Sequence, residues 1–180
     1  MSTRSHIGIW NEDGSLDVIY CHWDGYPSYK GTLLLHHYQA PEKIRELIAL
    51  GDISSLAESV KPVEGEHTFE SPQEGVVVAY GRDRHEDGVD TKHFDTLDEY
   101  KKLMRSEGGY IEYVYLYQAC DRKWIWTPAS SGSILLLSFH LSHGEVYQVV
   151  GGVIGRSIGG GAGAVGDEEM HLTHEIGQIE

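Results

Sequence analysis

The sequence predicts a mixed α+β fold whose sheet is rich in antiparallel strands, in the order ββ-α-β-α-ββ with the helices on one face. Short β-prone runs flank turn signals, and the segments between them have helical periodicity. Hydrophobic residues make up 40% and charged residues 23% of the 180-residue chain, which is typical of a globular protein. We expect one domain over residues 1–150, followed by a Gly-rich, acidic tail over residues 151–180 that lacks a fixed fold.

The N-terminal segment predicts a β-hairpin. The runs SHIGIW (5–10) and LDVIYCH (16–22) are apolar and β-prone, and Asp13-Gly14 lies between them. Glycine adopts positive φ readily, so Asp-Gly between such runs is a strong turn signal. Residues 23–31 follow with two glycines, a proline and three aromatic residues. Because glycine and proline interrupt regular structure, we expect a loop that packs its rings against the body.

Two helices are predicted from signals at their ends, and two shorter helical segments are predicted without such signals. Pro41 suits the first turn of a helix over residues 41–50, and Gly51 ends it. Thr96 and Glu99 have the capping-box spacing, which predicts a helix over residues 96–106. The remaining helical segments are residues 32–39 and a turn that begins within residues 52–56.

The later strands are predicted from continuous or alternating apolar runs. Residues 75–80 (GVVVAY) are typical of a central strand that is buried on both faces, and residues 81–91 follow as a charged loop. Residues 110–119 and 124–127 predict a second hairpin. The tyrosines of its first strand share one face: Tyr113, Tyr115 and Tyr117. Residues 133–150 predict an extra hairpin after the change in composition at Pro128.

The net charge of −14, from 28 acidic and 14 basic residues, argues against direct binding of nucleic acid. A body this negative repels phosphate backbones. The first interpretation of the charge is that it serves solubility, and the alternative is a surface that presents carboxylates to a basic groove on another protein.

Cysteine usage and hydropathy predict a cytoplasmic location. Cys21 and Cys120 lack CxxC spacing, which indicates a reducing compartment. No signal-peptide pattern is visible, and no apolar run reaches the ~18 residues that a membrane span needs. We therefore expect no membrane contact, and the oligomeric state, including a homodimer, stays open.

Several short motifs resemble a group of small, mostly uncharacterised phage and prophage proteins. They are CHWDGYP (21–27), the LGD of residues 50–52 and YGRDR (80–84), in that order, with KWIW (123–126) closing the pattern. The resemblance covers roughly residues 1–127. It implies a phage setting, and therefore the cytoplasm of a host cell, but no reaction.

The same motifs supply the candidate ligand-binding residues, which are Trp23, Asp24, Tyr26, Arg82 and Arg84. The arginines are bases in an acidic protein, so they suit a small anion such as a nucleotide phosphate. The alternative is a local ion-pair network with neighbouring acids. Cys21 and His22 are adjacent on a predicted strand, so their side chains point to opposite faces and do not form a catalytic dyad.

A repeated H-x-[S/T]-H pattern, HLSH (140–143) and HLTH (171–174), suggests a second kind of chemistry. Paired H-x-S/T motifs are the signature of 2H phosphodiesterases, in which two histidines act as acid and base. The candidate catalytic residues are His140, Ser142, His171 and Thr173. The candidate metal ligands are His140, His143, His171 and His174, and solvated polar side chains are the alternative to a metal site.

The sequence therefore favours a phage-type accessory protein, such as a counter-defence or host-takeover protein, that acts without catalysis by binding a host macromolecule. We expect a host protein or protein complex as the partner, and we expect no cofactor. The alternatives are a small phosphodiesterase or hydrolase that uses His140 and His171, and a small-anion (nucleotide) binding protein. An assembly protein with a tail that orders in a complex is a third reading.

Overall fold

A computed structural model describes residues 2–106 and 109–129, together with the strand backbone of residues 138–142, 145–150 and 153–157. The strands are β1 (Ser5–Trp10), β2 (Leu16–Cys21), β3 (Ile53–Ser55), β4 (Val78–Ala79), β5 (Lys92–Phe94), β6 (Tyr113–Gln118), β7 (Lys123–Pro128), β8 (Ser138–Ser142), β9 (Glu145–Val150) and β10 (Val153–Ser157). The helices are α1 (Thr32–His37), α2 (Pro41–Ile48), α3 (Tyr80–Arg84) and α4 (Leu97–Ser106), and a π-helical turn (Pro27–Gly31) precedes α1.

Strands β1 to β7 form a mostly antiparallel sheet, which confirms the mixed α+β class. The order along the sheet is β7-β6-β1-β2-β3-β4, and β5 also pairs with β2. Two pairings are parallel, β1 with β6 and β2 with β3. The N-terminal strand β1 therefore lies in the interior of the sheet, between its hairpin partner β2 and strand β6 of the second hairpin.

The first hairpin forms where the Asp-Gly signal predicts it. Gly14 has a φ of 91°, which glycine tolerates because it lacks a Cβ. Asp13 Oδ1 accepts hydrogen bonds from the backbone N–H and the hydroxyl of Ser15, at 3.0 and 2.7 Å. The turn holds β1 and β2 in a register that pairs Ser5 with Cys21 and Trp10 with Leu16.

Both faces of the sheet are covered, each by different helices. One face buries Ile7, Ile19 and Tyr115 against α1 and α2. The other face buries Leu16, Val18, Val114, Leu116 and Ile125 against Tyr100 and Met104 of α4. The expectation of helices on one face therefore holds for α1 and α2 and is wrong for α4, because the alternate positions of β2, β6 and β7 are also apolar.

Three local expectations differ from the structure. The run at residues 75–80 was expected to be a central strand, but only Val78–Ala79 form a strand, β4, which is the last strand of its end of the sheet. Val76 makes an isolated parallel bridge with Ser59. The segment at residues 52–56 forms β3 instead of a helical turn. YGRDR forms the short helix α3 within the expected charged loop, and His85 ends it with a left-handed φ of 58°.

Strands β8, β9 and β10 continue the sheet beyond β7. The pairing of β8 with β9 matches the extra hairpin expected over residues 133–150. Strand β10, which begins at Val153, pairs with β9, so the sheet continues beyond residue 150. The expected acidic tail lies mostly outside the described residues, and the division at residue 150 stays a prediction.

Candidate functional site

The loop that follows β2 presents the aromatic residues predicted to bind a ligand. Its backbone is fixed at both sides: the N–H groups of His22 and Trp23 donate to the carbonyls of Ile53 and Ser54 of β3, at 3.2 and 3.0 Å. The N–H of Gly25 donates to the Thr3 carbonyl at 2.8 Å. The backbone of the loop is therefore attached to β3 on one side and to the N-terminal segment on the other.

Glycine is required in this loop because the backbone passes against the N-terminal segment. A Cβ on Gly25 would lie 2.6 Å from the carbonyl oxygen of Thr3. Cβ atoms in proteins do not come this close to a backbone oxygen, so a larger residue would clash here. The Gly25 carbonyl also accepts a hydrogen bond of 2.7 Å from the buried Tyr115 hydroxyl. These contacts explain why the chain turns here, and they place the next aromatic side chains at the surface.

Several large rings of this region are exposed to solvent. Trp23 is 45%, Tyr26 41%, Tyr29 45% and Tyr110 49% exposed. They do not stand alone, because successive ring contacts join Tyr110 to Tyr20, Tyr20 to His22 and His22 to Trp23, with centroids 6.0, 6.0 and 4.6 Å apart. We call these four residues the aromatic row: Tyr110, Tyr20, His22 and Trp23.

One cation lies against the aromatic row. The Arg4 guanidinium lies over the Tyr110 ring, 4.3 Å from its centroid, in cation–π geometry. Burial lowers the pKa of His22, and the charge of Arg4 lowers it further. His22 is therefore neutral at pH 7, and the Tyr20 hydroxyl lies 2.7 Å from its Nδ1. The row is an uncharged ring surface with one basic end in an otherwise acidic protein.

Asp24 and Tyr26, two of the predicted ligand-binding residues, bond to each other. Asp24 has a left-handed φ of 56°, and its Oδ1 accepts a hydrogen bond of 3.1 Å from the Tyr26 hydroxyl. This bond and the nearby carboxylate charge raise the pKa of Tyr26. Tyr26 also contacts the Tyr29 ring edge-on, with centroids 6.5 Å apart. Tyr26 and Tyr29 are therefore a second group of exposed rings in the loop that carries Trp23.

Arg82 is engaged inside the protein. Its Nε and one terminal nitrogen donate to the two carboxylate oxygens of Asp83, at 2.6 and 2.8 Å. Its guanidinium also donates to the backbone carbonyls of Val60 and Val77. None of these partners belongs to the loop of Trp23 and Asp24. The contacts match the ion-pair network that was the alternative to anion binding.

Asp83 is the centre of that network. Its side chain is 2% exposed, and it also accepts a 2.7 Å bond from the backbone N–H of Ala79. Burial opposes ionisation, but the bonds from Arg82 and Ala79 and the charge of Arg82 hold the pKa of Asp83 below its ordinary value. His67 Nε2 contacts it at 3.2 Å. YGRDR therefore fixes α3 to the polar segment before β4.

Arg84, the second predicted arginine, points into a different environment. It pairs with Glu86 at 3.0 Å, and its guanidinium lies 4.8 Å from the centroid of the Phe69 ring. Its side chain is half exposed, so the ion pair contributes little free energy.

Most residues of the two histidine motifs lie outside the described residues. His140 and Ser142 fall in β8, where they are the register partners of Tyr147 and Glu145. The other candidate residues, His143, His171, Thr173 and His174, lie outside the described residues. The phosphodiesterase and metal hypotheses therefore stay predictions. Among residues with described positions, no three His, Cys, Asp or Glu side chains converge as metal ligands would.

A pocket that sequence reasoning missed lies between α2 and the turn that joins β6 to β7. Its volume is about 230 Å³, and it is lined by Ile9, Glu12, Pro41, Glu42, Arg45, Tyr117, Ala119 and Arg122. Tyr117 is 3% exposed, and its hydroxyl has no hydrogen-bond partner in the described part of the chain. A buried hydroxyl without a partner is costly and uncommon. No local motif joins these residues, because they come from three separate stretches of the chain, at residues 9–12, 41–45 and 117–122.

Comparison with protein-family models, with curated proteins and with solved structures gave no match. The helices within the described ranges are too short or too polar to cross a bilayer.

Proposed function

We propose that this chain is a non-enzymatic binding protein that docks on a host protein through the aromatic row. The observation that supports the proposal is that Trp23 and Tyr110, at the two ends of the row of ring contacts, are 45% and 49% exposed. Tyr26 and Tyr29, in the same loop as Trp23, are exposed as well. Large aromatic side chains dominate the binding energy of protein interfaces when a partner excludes water from them. Exposed rings held by a fixed backbone also lose little conformational entropy on binding.

The chemistry of the surface selects the class of partner. The net charge of −14 disfavours a phosphate backbone and favours a protein whose own surface is basic. Arg4 adds a single cation at one end of the row, which suits a carboxylate at the matching point of the partner. The phage setting implied by CHWDGYP makes a host protein the expected partner, and the activity is then blocking or redirecting that protein.

The experiment measures affinity for a purified partner. Proteins captured from a host lysate at low salt are identified, purified and titrated against the intact chain by calorimetry. Trp23→Ala should weaken binding by at least about 2 kcal/mol, or roughly 30-fold, as expected for a central aromatic side chain. Val63→Ala is the matched control, because Val63 is 74% exposed and lies outside the aromatic row.

Two results would count against the proposal. If Trp23→Ala and Val63→Ala bind the partner equally well, the aromatic row is not the docking surface. If affinity does not fall as salt rises from low to physiological concentration, the acidic surface does not steer the encounter. Circular dichroism of each variant excludes loss of fold as the cause of weaker binding.

The pocket beside α2 supports a second function, the binding of a small anion. Arg45 and Arg122 line it, and in the described ranges neither has a carboxylate within ion-pair distance. A volume of about 230 Å³ suits a phosphate or a small carboxylate. Glu12 and Glu42 would meet donor groups of the same ligand.

Thermal unfolding with and without inorganic phosphate tests this second function. Binding to the folded state should raise the midpoint with ligand concentration. Arg45→Gln should abolish the rise, whereas Arg84→Gln, at an arginine outside the pocket, should keep it. An equal response of the two variants to phosphate would refute a site in this pocket.

A further inference from the structure

Lys30 is completely buried, which is rare for lysine. It lies in the last turn of the π-helical segment, where its Nζ donates to the carbonyl of Trp23 at 2.8 Å and contacts Cys21 Sγ at 2.5 Å. No carboxylate among the described residues is within ion-pair distance of this Nζ. A buried ammonium without a counter-charge costs several kcal/mol. The sulfur of Cys21 and the carbonyl oxygen of Trp23 are the two polar atoms that face this Nζ.

The contact between the two side chains is unusually close. Hydrogen bonds from nitrogen to oxygen span about 2.7–3.2 Å, and sulfur is larger than oxygen, so an ordinary N–H···S contact is longer still. The 2.5 Å between Lys30 Nζ and Cys21 Sγ is therefore too short for an N–H···S hydrogen bond. Such a distance suits two atoms that are both bonded to one atom between them. Cys21 is also fully buried, which keeps bulky thiols and alkylating reagents away from the pair.

We propose that Cys21 and Lys30 are an oxidative modification site, at which one oxygen atom bridges Sγ and Nζ in a covalent S–O–N link. Dioxygen is the oxidant. The ammonium first releases one proton to solvent, and the thiol S–H and one amine N–H bond then break as the S–O and O–N bonds form. One oxygen atom of the oxidant enters the bridge, and the other leaves as water with the two hydrogens. The thiol and amine lose four electrons in total, and dioxygen accepts them.

The site is arranged for this chemistry and for its reversal. Dioxygen is small enough to enter through local opening of the loop, and the neighbouring Trp23 is at the surface. Reduction returns four electrons, releases the oxygen as water and restores the thiol and the amine. In the oxidised form the end of β2 is joined covalently to the last turn before α1. If the proposed docking function holds, this link would fix the loop that carries Trp23, Tyr26 and Tyr29.

Mass spectrometry of the full chain tests the proposal. The Cys120→Ser variant leaves Cys21 as the single thiol, because the chain has two cysteines. Exposure of this variant to dioxygen should add about 14 Da, one oxygen less two hydrogens, and an excess of a dithiol reductant should remove it. Trypsin should also stop cleaving after Lys30, so that a peptide of residues 5–43 with the added mass replaces the peptide of residues 5–30.

The matched variant combines Cys120→Ser with Lys30→Met. Methionine has a similar length and no charge, so the buried site should tolerate it, and the gain of about 14 Da should be absent. Three results would overturn the proposal: no change of mass under dioxygen, addition of oxygen to Cys21 alone with normal cleavage after Lys30, or a loss of about 2 Da that indicates a direct S–N bond. The measurement needs no partner, so its failure leaves the docking proposal untouched.

Discussion

His6 makes the stability of this protein depend on pH in a calculable way. It lies in β1 at 2% exposure, and its Nδ1 is 3.0 Å from the hydroxyl of Tyr100 on α4. Burial, with the nearby charge of Lys92, lowers the pKa of His6 to about 3. In the unfolded chain the same imidazole has a pKa of about 6.5. The folded protein therefore excludes a proton that the unfolded chain binds.

The sign and size of the effect follow from this difference. Because the folded pKa is depressed, the contribution of His6 is fully present above about pH 6.5 and is lost as the pH falls toward 3. Each pH unit below 6.5 costs about 1.4 kcal/mol, so at pH 5.0 the free energy of unfolding should fall by about 2 kcal/mol relative to pH 7.5.

Urea denaturation followed by tryptophan fluorescence at pH 7.5 and pH 5.0 measures this loss. The control is His6→Gln, which keeps a polar side chain but does not titrate. Groups such as His93, whose pKa is raised by its hydrogen bond to Asp17, act in both proteins and cancel in the comparison. The reasoning is refuted if the parent protein and His6→Gln lose the same free energy between the two pH values.

Four further substitutions test other contacts by the same urea assay. Asp83→Asn should lower the free energy of unfolding by about 3 kcal/mol, because it leaves a mostly buried arginine without its counter-charge; an unchanged midpoint would show that the network adds no stability. Gly51→Ala should cost more than about 2 kcal/mol, since its φ is +73° and the new Cβ would lie 2.2 Å from the Val89 carbonyl oxygen. Gly88→Ala, with a φ of +74° and nothing within 4 Å, should cost clearly less, and equal losses would contradict the role of the clash. Tyr117→Phe should raise the ligand-free stability by about 1 kcal/mol by removing the unpartnered hydroxyl, and a loss of stability would indicate that it has a partner.

Elements with short-range signals could be predicted from the sequence. The predicted helix at residues 96–106 forms as α4, where the Glu99 N–H is 3.3 Å from Thr96 Oγ1 and the Glu99 carboxylate accepts from the Asp95 N–H. The second hairpin forms as β6 and β7, with the three tyrosines on one face. In each case the residues that decide the structure lie within a few positions of one another.

Elements decided by distant partners could not be predicted in the same way. The short β3 forms because its backbone pairs with β2 and β4, and its own three residues carry no strand signal strong enough to show this. The apolar run at residues 75–80 suggested a central strand. Its first residues bond instead to Ser59, which donates its N–H to the Gly75 carbonyl and accepts from the Val77 N–H. The rings of the loop at residues 23–31 were expected to pack against the body, but Trp23, Tyr26 and Tyr29 are 45%, 41% and 45% exposed, and the ligand-binding role of this loop stays a prediction. The pocket at Tyr117 depends on the pairing of β1 with β6, which no local pattern indicates.

The interior position of β1 has a consequence for how the chain folds. Strand β1 pairs in parallel with β6, so that Ser5 is opposite Tyr113 and Trp10 is opposite Gln118. Closing a loop of this length costs entropy before any contact compensates, and such nonlocal topologies fold slowly. During synthesis the first strand emerges long before its second neighbour exists. One edge of the first hairpin is therefore open until β6 leaves the ribosome, and this is the stage at which aggregation competes most strongly with folding.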